Sequence, residues 1–289
     1  AFVNAGKKVT VIEMMDQVIP RIADSDVALC VRKYMEEKGV EIVTEAPVEA
    51  VIGKDEVTGV KAKGKEYPCG MVIFATGVRA NLDIPKALGF DIGMLGAVAV
   101  SPTLQPYRRG RLVKDIYLAG DLIQCQSAAA PGPTMSQLGS SAVKQGEIAG
   151  CNAAGGNRIF GPTASPWISV MDDMYVAGTG LSSGLASWYG IRTVEGKSKG
   201  FTRARYSPGG KDFSVKIIAD GTSRRIVGAQ MVAGENIVGR INWLTSAIIA
   251  GMTADEFLVS AENAYCPPVS MVKDVVLSAA EDLVKNLNG

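Results

Sequence analysis

Ile116-Tyr117-Leu118-Ala119-Gly120-Asp121 is the stretch on which the fold reading turns. A short apolar run of β-branched and aromatic residues predicts a strand, and Gly-Asp closes it. In open α/β sheets, ligands bind at the carboxyl edge of the strands, so a carboxylate there is placed to meet one. Gly120 permits close backbone approach, and Asp121 can accept hydrogen bonds from two sugar hydroxyls. Gly-Asp after a strand is more often a plain turn. The company it keeps decides between the two.

Downstream, Pro131-Gly132-Pro133 leads into a helix expected from Thr134 to about Ala154. Upstream, Met71-Val72-Ile73-Phe74-Ala75-Thr76-Gly77 predicts a second buried strand, ending in Thr-Gly. Further back, Ala1–Gly6 has the form of a last helical turn stopped by glycine. Lys8–Glu13 is a buried strand ending in a carboxylate, and Arg21–Lys38 has helical spacing, with Asp24 or Ser25 as cap and Gly39 as stop. Val40–Val43 is the next strand. This alternation is half of a doubly wound nucleotide-binding unit. The period changes to two over 48–65, which predicts a hairpin of 48–52 and 57–61. Residues 78–115 read as irregular.

Gly155–Pro166 is the clearest linker, and beyond it the pattern becomes α+β. Strands are expected at Trp167–Val176, Arg192–Lys197, Phe213–Ala219 and Ile226–Val232, with a hairpin turn at Asp220-Gly221. Helices follow at Ile237–Ala250, Thr253–Ser260 and Lys273–Leu287. Ile237, Ile241, Trp243, Leu244, Ile248 and Ile249 make a helix apolar on more than one face. Such a helix is expected to be buried twice, against its own sheet and against a second copy. A homodimer through residues 160–289 is the expectation.

The 289 residues carry 30 basic and 29 acidic side chains, a formal net charge of +1, and 47% hydrophobic residues. Near-zero charge argues against nucleic acid or an anionic membrane as main partner, and no long uncharged apolar run predicts a membrane span. There is no histidine, which excludes a Ser-His-Asp triad and a histidine metal site within the chain. The five cysteines, Cys30, Cys69, Cys125, Cys151 and Cys266, form no CxxC. No metal site is expected, and a reducing cytoplasm is favoured.

Three carboxyl-edge features come in order. Glu13 at its strand end is placed to take both hydroxyls of an adenosine ribose and to repel a 2′-phosphate. Phe74-Ala75-Thr76-Gly77 offers a close approach at another strand end. Asp121 is followed by a helix whose positive end favours negative charge. Ala75-Thr76-Gly77-Val78-Arg79, the Lys144-Gln145-Gly146 within 142–150, and Ala264-Tyr265-Cys266-Pro267-Pro268-Val269-Ser270 complete the set. With these, the chain resembles the C-terminal portion of an FAD-dependent pyridine nucleotide–disulfide oxidoreductase. It is similar to the branch of CoA-disulfide reductases, NADH oxidases and NADH peroxidases.

The resemblance implies an α/β fold with partial Rossmann-like NAD-binding and FAD-binding segments followed by an α+β dimerisation domain. The implied bounds are 1–78, 79–158 and 159–289. It implies FAD and NAD as cofactors, NADH preferred over NADPH, with hydride passing through FAD to a disulfide, persulfide, peroxide or oxygen. Glu13 would bind the adenosine ribose, and Thr76 and Gly77 would lie near the nicotinamide half. Gly120 and Asp121 would bind the flavin ribitol, with Ser141 and Ala142 at the helix start beneath the pyrimidine edge. Tyr265 would project toward the partner's active site. Arg203 and Ser207 stand where several relatives carry a histidine and a second tyrosine, which puts a CoA-type substrate in question. The redox cysteine of the family would precede residue 1, so this chain alone is expected to be inactive. Cys125 and Cys266 read as small structural residues, Cys266 alternatively as a second thiol near the partner's flavin. Two other classes remain open: a non-catalytic dimerisation scaffold, and a ferredoxin- or rubredoxin-type reductase lacking the Tyr-Pro-Pro tail.

Overall fold

The computed structural model describes residues 1–289. Ala1–Gly6 is a single turn, with Ala5 N donating to Ala1 O at 3.0 Å, and Gly6 ends it at φ +72°. The first strand, β1 (Val9–Ile12), runs parallel to β2 (Val40–Val43) in the register Val9↔Val40 to Ile12↔Val43. Helix α1 (Ser25–Glu37) makes the crossover and buries Val27, Ala28 and Val31, the inward side of its stripe. Asp24 occupies the N-cap position, yet its side chain caps nothing. Its carboxylate is engaged elsewhere, as described below.

An antiparallel meander follows, β3 (Val48–Ile52), β4 (Gly59–Ala62) and β5 (Lys65–Pro68). The expected strand Met71–Gly77 is not formed. The segment makes no ladder, and Met71, Ile73 and Phe74 are 66%, 62% and 72% exposed. An apolar run becomes a strand only where a neighbour accepts its backbone bonds. Here β1 and β2 pair only with each other.

After the short helix α2 (Asp83–Ala87) come β6 (Val98–Ala99) and the hairpin of β7 (Tyr107–Arg108) and β8 (Arg111–Leu112). β9 (Ile123–Gln126) pairs with β6 in parallel and with β10 (Pro133–Thr134) antiparallel. This corrects the expectation for Ile116–Asp121. The strand begins after Gly120-Asp121, while Ile116–Ala119 is irregular and joined to the core by Leu118 N to Leu104 O at 2.9 Å. Thr134 belongs to β10, so helix α3 (Gly139–Ala153) starts later than expected. The Gly/Pro-rich connection after it is well fastened. The Asn152 side chain receives Arg158 N at 2.7 Å and donates to Arg158 O at 2.8 Å, and Phe160 N bonds Pro102 O at 2.8 Å.

The remainder is one five-stranded antiparallel sheet in the order β11-β12-β15-β14-β13. Its strands are β11 (Trp167–Met171), β12 (Met174–Gly180), β13 (Thr193–Phe201), β14 (Asp212–Asp220) and β15 (Ile226–Ala233). Trp167–Val176, expected as one strand, is a hairpin turning at Asp172 in the left-handed region, φ +57°. Helix α4 (Ser183–Trp188) lies between β12 and β13, while α5 (Val238–Ala250), α6 (Ala254–Ser260) and α7 (Val275–Asn288) cover one face around Phe213, Ile217, Met231, Leu244, Phe257 and Leu283. α7 lies directly on β13: a Cβ on Gly196 would stand 2.3 Å from Ala279 O. The sequence reading of α5 is also corrected. Ile237, Ile241, Leu244 and Ile248 are all buried in this core, and Ile249 alone of the six is exposed, because the helix turns its apolar stripe inward. The opposite face receives α1 and the loop before it, with Val18, Ala23, Val27 and Val31 packed on Met174 and Val176. No helix is long and apolar enough to cross a membrane.

Candidate functional site

The flavin-edge candidates meet at the start of α3. Gly120 adopts φ +88°, which a side chain would strain, and a Cβ there would lie 3.9 Å from the Ala142 methyl. Its N–H donates to Gln145 Oε1 at 2.7 Å. Gln145 is fully buried, and its Nε2 has no partner. Ser141 is buried in the first turn, its hydroxyl 2.7 Å from that of Ser136. Leu138, at the N-cap, offers no side-chain cap, and the first turn holds no acid, so the helix start keeps its positive end uncompensated. Asp121 is exposed and makes no hydrogen bond or ion pair. It does not line the open depression of about 410 Å³ bounded by Gln124, Cys125, Gln126 and residues 130–133, which lies further along β9.

Glu13 extends β1 by one residue, its N–H bonded to Val43 O at 2.9 Å and its carbonyl to Ala46 N at 3.0 Å. Met15 N donates to Glu13 Oε1 at 2.8 Å, and the other carboxylate oxygen makes no hydrogen bond. Thr76 is exposed, and Gly77 has φ +92°. Arg21 lies before α1 and not in it. Its Nη1 stands 3.9 Å from where a Cβ on Gly77 would be. Glu13's loop and the Thr76-Gly77 segment are thus brought side by side.

The third group lies in the five-stranded unit. The hydroxyls of Tyr206 and Tyr265 hydrogen-bond each other. The two loops that carry them are knitted by Ala204 N to Ser270 O at 3.1 Å and by Cys266 N to Ser270 Oγ at 2.9 Å. The bond to Tyr206, with some burial and the neighbouring Cys266, raises the Tyr265 phenol above its ordinary value. Arg203 pairs with Glu235 and donates to Pro208 O at 3.3 Å, so it braces the loop. Arg205 lies over the Phe201 ring at 5.4 Å and has no carboxylate partner. These arginines, with Ser207, Pro208 and Gly209, line an open depression of about 520 Å³.

All five cysteines are free thiols. Burial pushes the Cys125 thiol up to about 11, which suits a packing role and not a thiolate. Cys266 is exposed. No group of three or more His, Cys, Asp or Glu side chains is arranged to hold a metal ion. Two features escaped the sequence reading. Gln145 stood within a quoted motif without a role, and the Tyr206–Tyr265 pair joins loops that are remote in the chain.

Residues 1–146 match the model of the pyridine nucleotide-disulphide oxidoreductase family, and residues 167–275 match that of its dimerisation domain. The chain belongs to this family. Over 283 residues it is 38% identical to the NADH oxidase of Methanocaldococcus jannaschii, covering 98% of this chain and 61% of that protein. It is 29% identical to the CoA-dependent NAD(P)H sulfur oxidoreductase of Pyrococcus furiosus, over 98% of this chain and 62% of that one. The chain therefore spans somewhat under two thirds of these family members. Among solved structures, the NAD-dependent persulfide reductase from A. fulgidus superposes with a TM-score of 0.91 at 32% identity, over 99% of this chain and 52% of that chain. The mixed α/β class, with a dimerisation domain toward the C-terminal side, is thereby established.

The residues present fit a flavin. An orphaned buried amide, a glycine cradle lined by a methyl, and an uncapped helix start together suit a polar, electron-rich ring edge.

Proposed function

We propose that this chain serves an NADH-dependent flavoprotein oxidoreductase that reduces a small-molecule acceptor: a disulfide, persulfide, peroxide or oxygen. The observation that carries the reading is the junction of Gly120 with α3, where an unpartnered Gln145 amide and a free Asp121 carboxylate flank an uncapped helix start. FAD, when bound, supplies the two-electron chemistry between nicotinamide and acceptor. Asp121 takes the ribitol hydroxyls. The N–H groups at the start of α3 that precede Ala142, that of Ser141 among them, stabilise negative charge at the pyrimidine edge. Glu13 uses its remaining carboxylate oxygen on the adenosine ribose, which favours NADH over NADPH by repelling a 2′-phosphate. Thr76 and Gly77 leave room for the nicotinamide half.

The working division is 1–78 for NAD(H), 79–158 for FAD and 159–289 for dimerisation. In the homodimer, Tyr265, hydrogen-bonded to Tyr206, faces the partner's reaction centre and holds a proton for the reduced acceptor. Five free thiols suit a reducing cytoplasmic setting. The names of the relatives span oxygen and sulfur acceptors, and the Arg203 and Ser207 replacements leave a CoA carrier without its usual tyrosine. The test is anaerobic titration of the whole FAD-loaded protein that contains this chain with NADH and NADPH. Bleaching of the flavin absorbance by NADH at lower concentration than by NADPH is expected, and Glu13→Ala should narrow the difference. No bleaching by either would overturn the reading and favour the scaffold alternative.

A further inference from the structure

We infer that Lys216 is a positioning residue for the pyridine nucleotide, acting through Asp24 to tie the segment that carries Glu13 and Arg21 to the dimerisation sheet. The inference rests on the reading of Glu13 and Gly77 as nucleotide contacts.

Lys216 stands in β14 among Val215, Ile217 and Ile218, with its own side chain only 7% exposed. A lone ammonium in such a place is costly and is retained only when well paired. Three carboxylates meet it: Asp24 at 2.8 Å, Asp26 at 3.0 Å and Glu195 at 3.0 Å. Two of these come from the start of α1, far away in the chain. Lys197 joins the same cluster, 2.8 Å from both Asp26 and Glu195. Burial works against the charges of Asp26 and Glu195, but the bonds from Lys197 and Lys216 outweigh it and hold both carboxyls below the usual range.

Asp24 is held further. Its carboxylate accepts from Ser183 N at 2.9 Å, Ser183 Oγ at 3.1 Å and Gln230 Nε2 at 3.0 Å, while its own N–H donates to Gln230 Oε1 at 2.9 Å. A residue placed to cap its own helix has given its side chain wholly to a distant sheet and to the start of α4. The local gain of a helix cap has been exchanged for a long-range anchor.

The anchor leads to the nucleotide residues. Just before Asp24, Val18 and Ala23 are packed on Met174 and Val176, and Gln17 Nε2 donates to Ala23 O at 2.9 Å. At its other end the loop is fixed where Glu13 bonds Val43 and Ala46. Arg21, between the two, approaches Gly77. The course of the loop that leaves Glu13, and with it the placement of Arg21 beside Gly77, is therefore set by where Asp24 is held. The far end of α1 has a second tie, Lys38 to Asp172 at 2.8 Å, but both side chains are exposed and screened by solvent. The buried cluster carries the positioning.

The test uses the whole FAD-loaded protein that contains this chain and two readouts: steady-state kinetics with NADH, and amide hydrogen exchange over residues 14–23. Asp24→Asn keeps the shape and removes the charge. Lys216→Met combined with Asp24→Asn lowers the unpaired charge left behind, so that folding is retained if the single Lys216→Met is not. KM for NADH should rise roughly 3- to 30-fold in both variants, with kcat held within about two-fold and faster exchange over 14–23. Arg32→Met, which removes an ion pair internal to α1, should leave both readouts unchanged. An unchanged KM in folded variants of an active protein, with or without faster exchange, overturns the inference alone. A wild-type protein that does not oxidise NADH overturns the functional reading and this inference with it.

Discussion

Asp121 carries no partner of its own, so its removal tests the ligand directly with little cost to the fold. Asp121→Ala is expected to weaken FAD roughly 10-fold or more, the loss of a hydrogen-bonded charge being worth about 1.5–3 kcal/mol. Flavin fluorescence titration reads this, and equal affinity would remove the carboxylate from the site. Gly120 differs, because its φ of +88° is a backbone conformation that strains any side chain. Gly120→Val should cost about 1–3 kcal/mol and lower the melting temperature. The buried cluster makes a prediction about pH. Asp26 and Glu195 have carboxyls held low in the folded state, so their contribution is full above the unfolded values and is lost as pH falls through the folded ones. Melting temperature should therefore fall on acidification from about pH 5 downward, and Glu195→Gln should flatten that fall.

Glu13, Gly120 and Asp121 stand out in the sequence because each sits at a break in a local pattern. Lys216 was not, although a lone charge between Val215 and Ile217 is a visible anomaly. Its meaning depends on three acids, two of them from the opposite end of the chain, and spacing does not register such a meeting. Gln145 went unread for a like reason. Only the burial of its amide turns a common polar residue into a site feature.

At the scale of elements, the close seating of α7 on β13 gives a strong expectation. Gly196→Ala forces a methyl to within 2.3 Å of backbone, and overpacking of this kind costs roughly 1–3 kcal/mol. Differential scanning calorimetry should show a lower melting temperature; an unchanged one would mean that α7 shifts freely on the sheet. Elements whose partners are close in sequence were read well: β14 and β15 extend the expected Phe213–Ala219 and Ile226–Val232, and α6 begins at its Thr253/Glu256 capping box. Strands that depend on remote neighbours were not. Met71–Gly77 has strand composition without a pairing edge, and Ile116–Ala119 yields to β9, where Ile123 and Cys125 face the core and Gln126 faces out.

At the scale of the molecule, the expected double burial of α5 is replaced by a different apolar surface. Val238, Ile249, Val259, Val269 and Val272 are exposed on α5, α6 and the loop before α7, all within or beside the part that matches the dimerisation domain. Val259 is 88% exposed, so Val259→Asp should leave the fold intact while a homodimer comes apart. Sedimentation velocity at micromolar concentration would show the smaller species. Persistence of a dimer would move the interface elsewhere on residues 160–289.

Asp24 has one more consequence, for how the protein is made. The groups that hold it, on Ser183 and Gln230, are 159 and 206 residues further along the chain. During synthesis α1 leaves the ribosome long before either exists. Its first turn must wait, uncapped, while the later sheet is translated, since contacts of long sequence separation form late. The loop before α1 can settle only once α4 and β15 are in place, so its maturation is timed by elements translated much later.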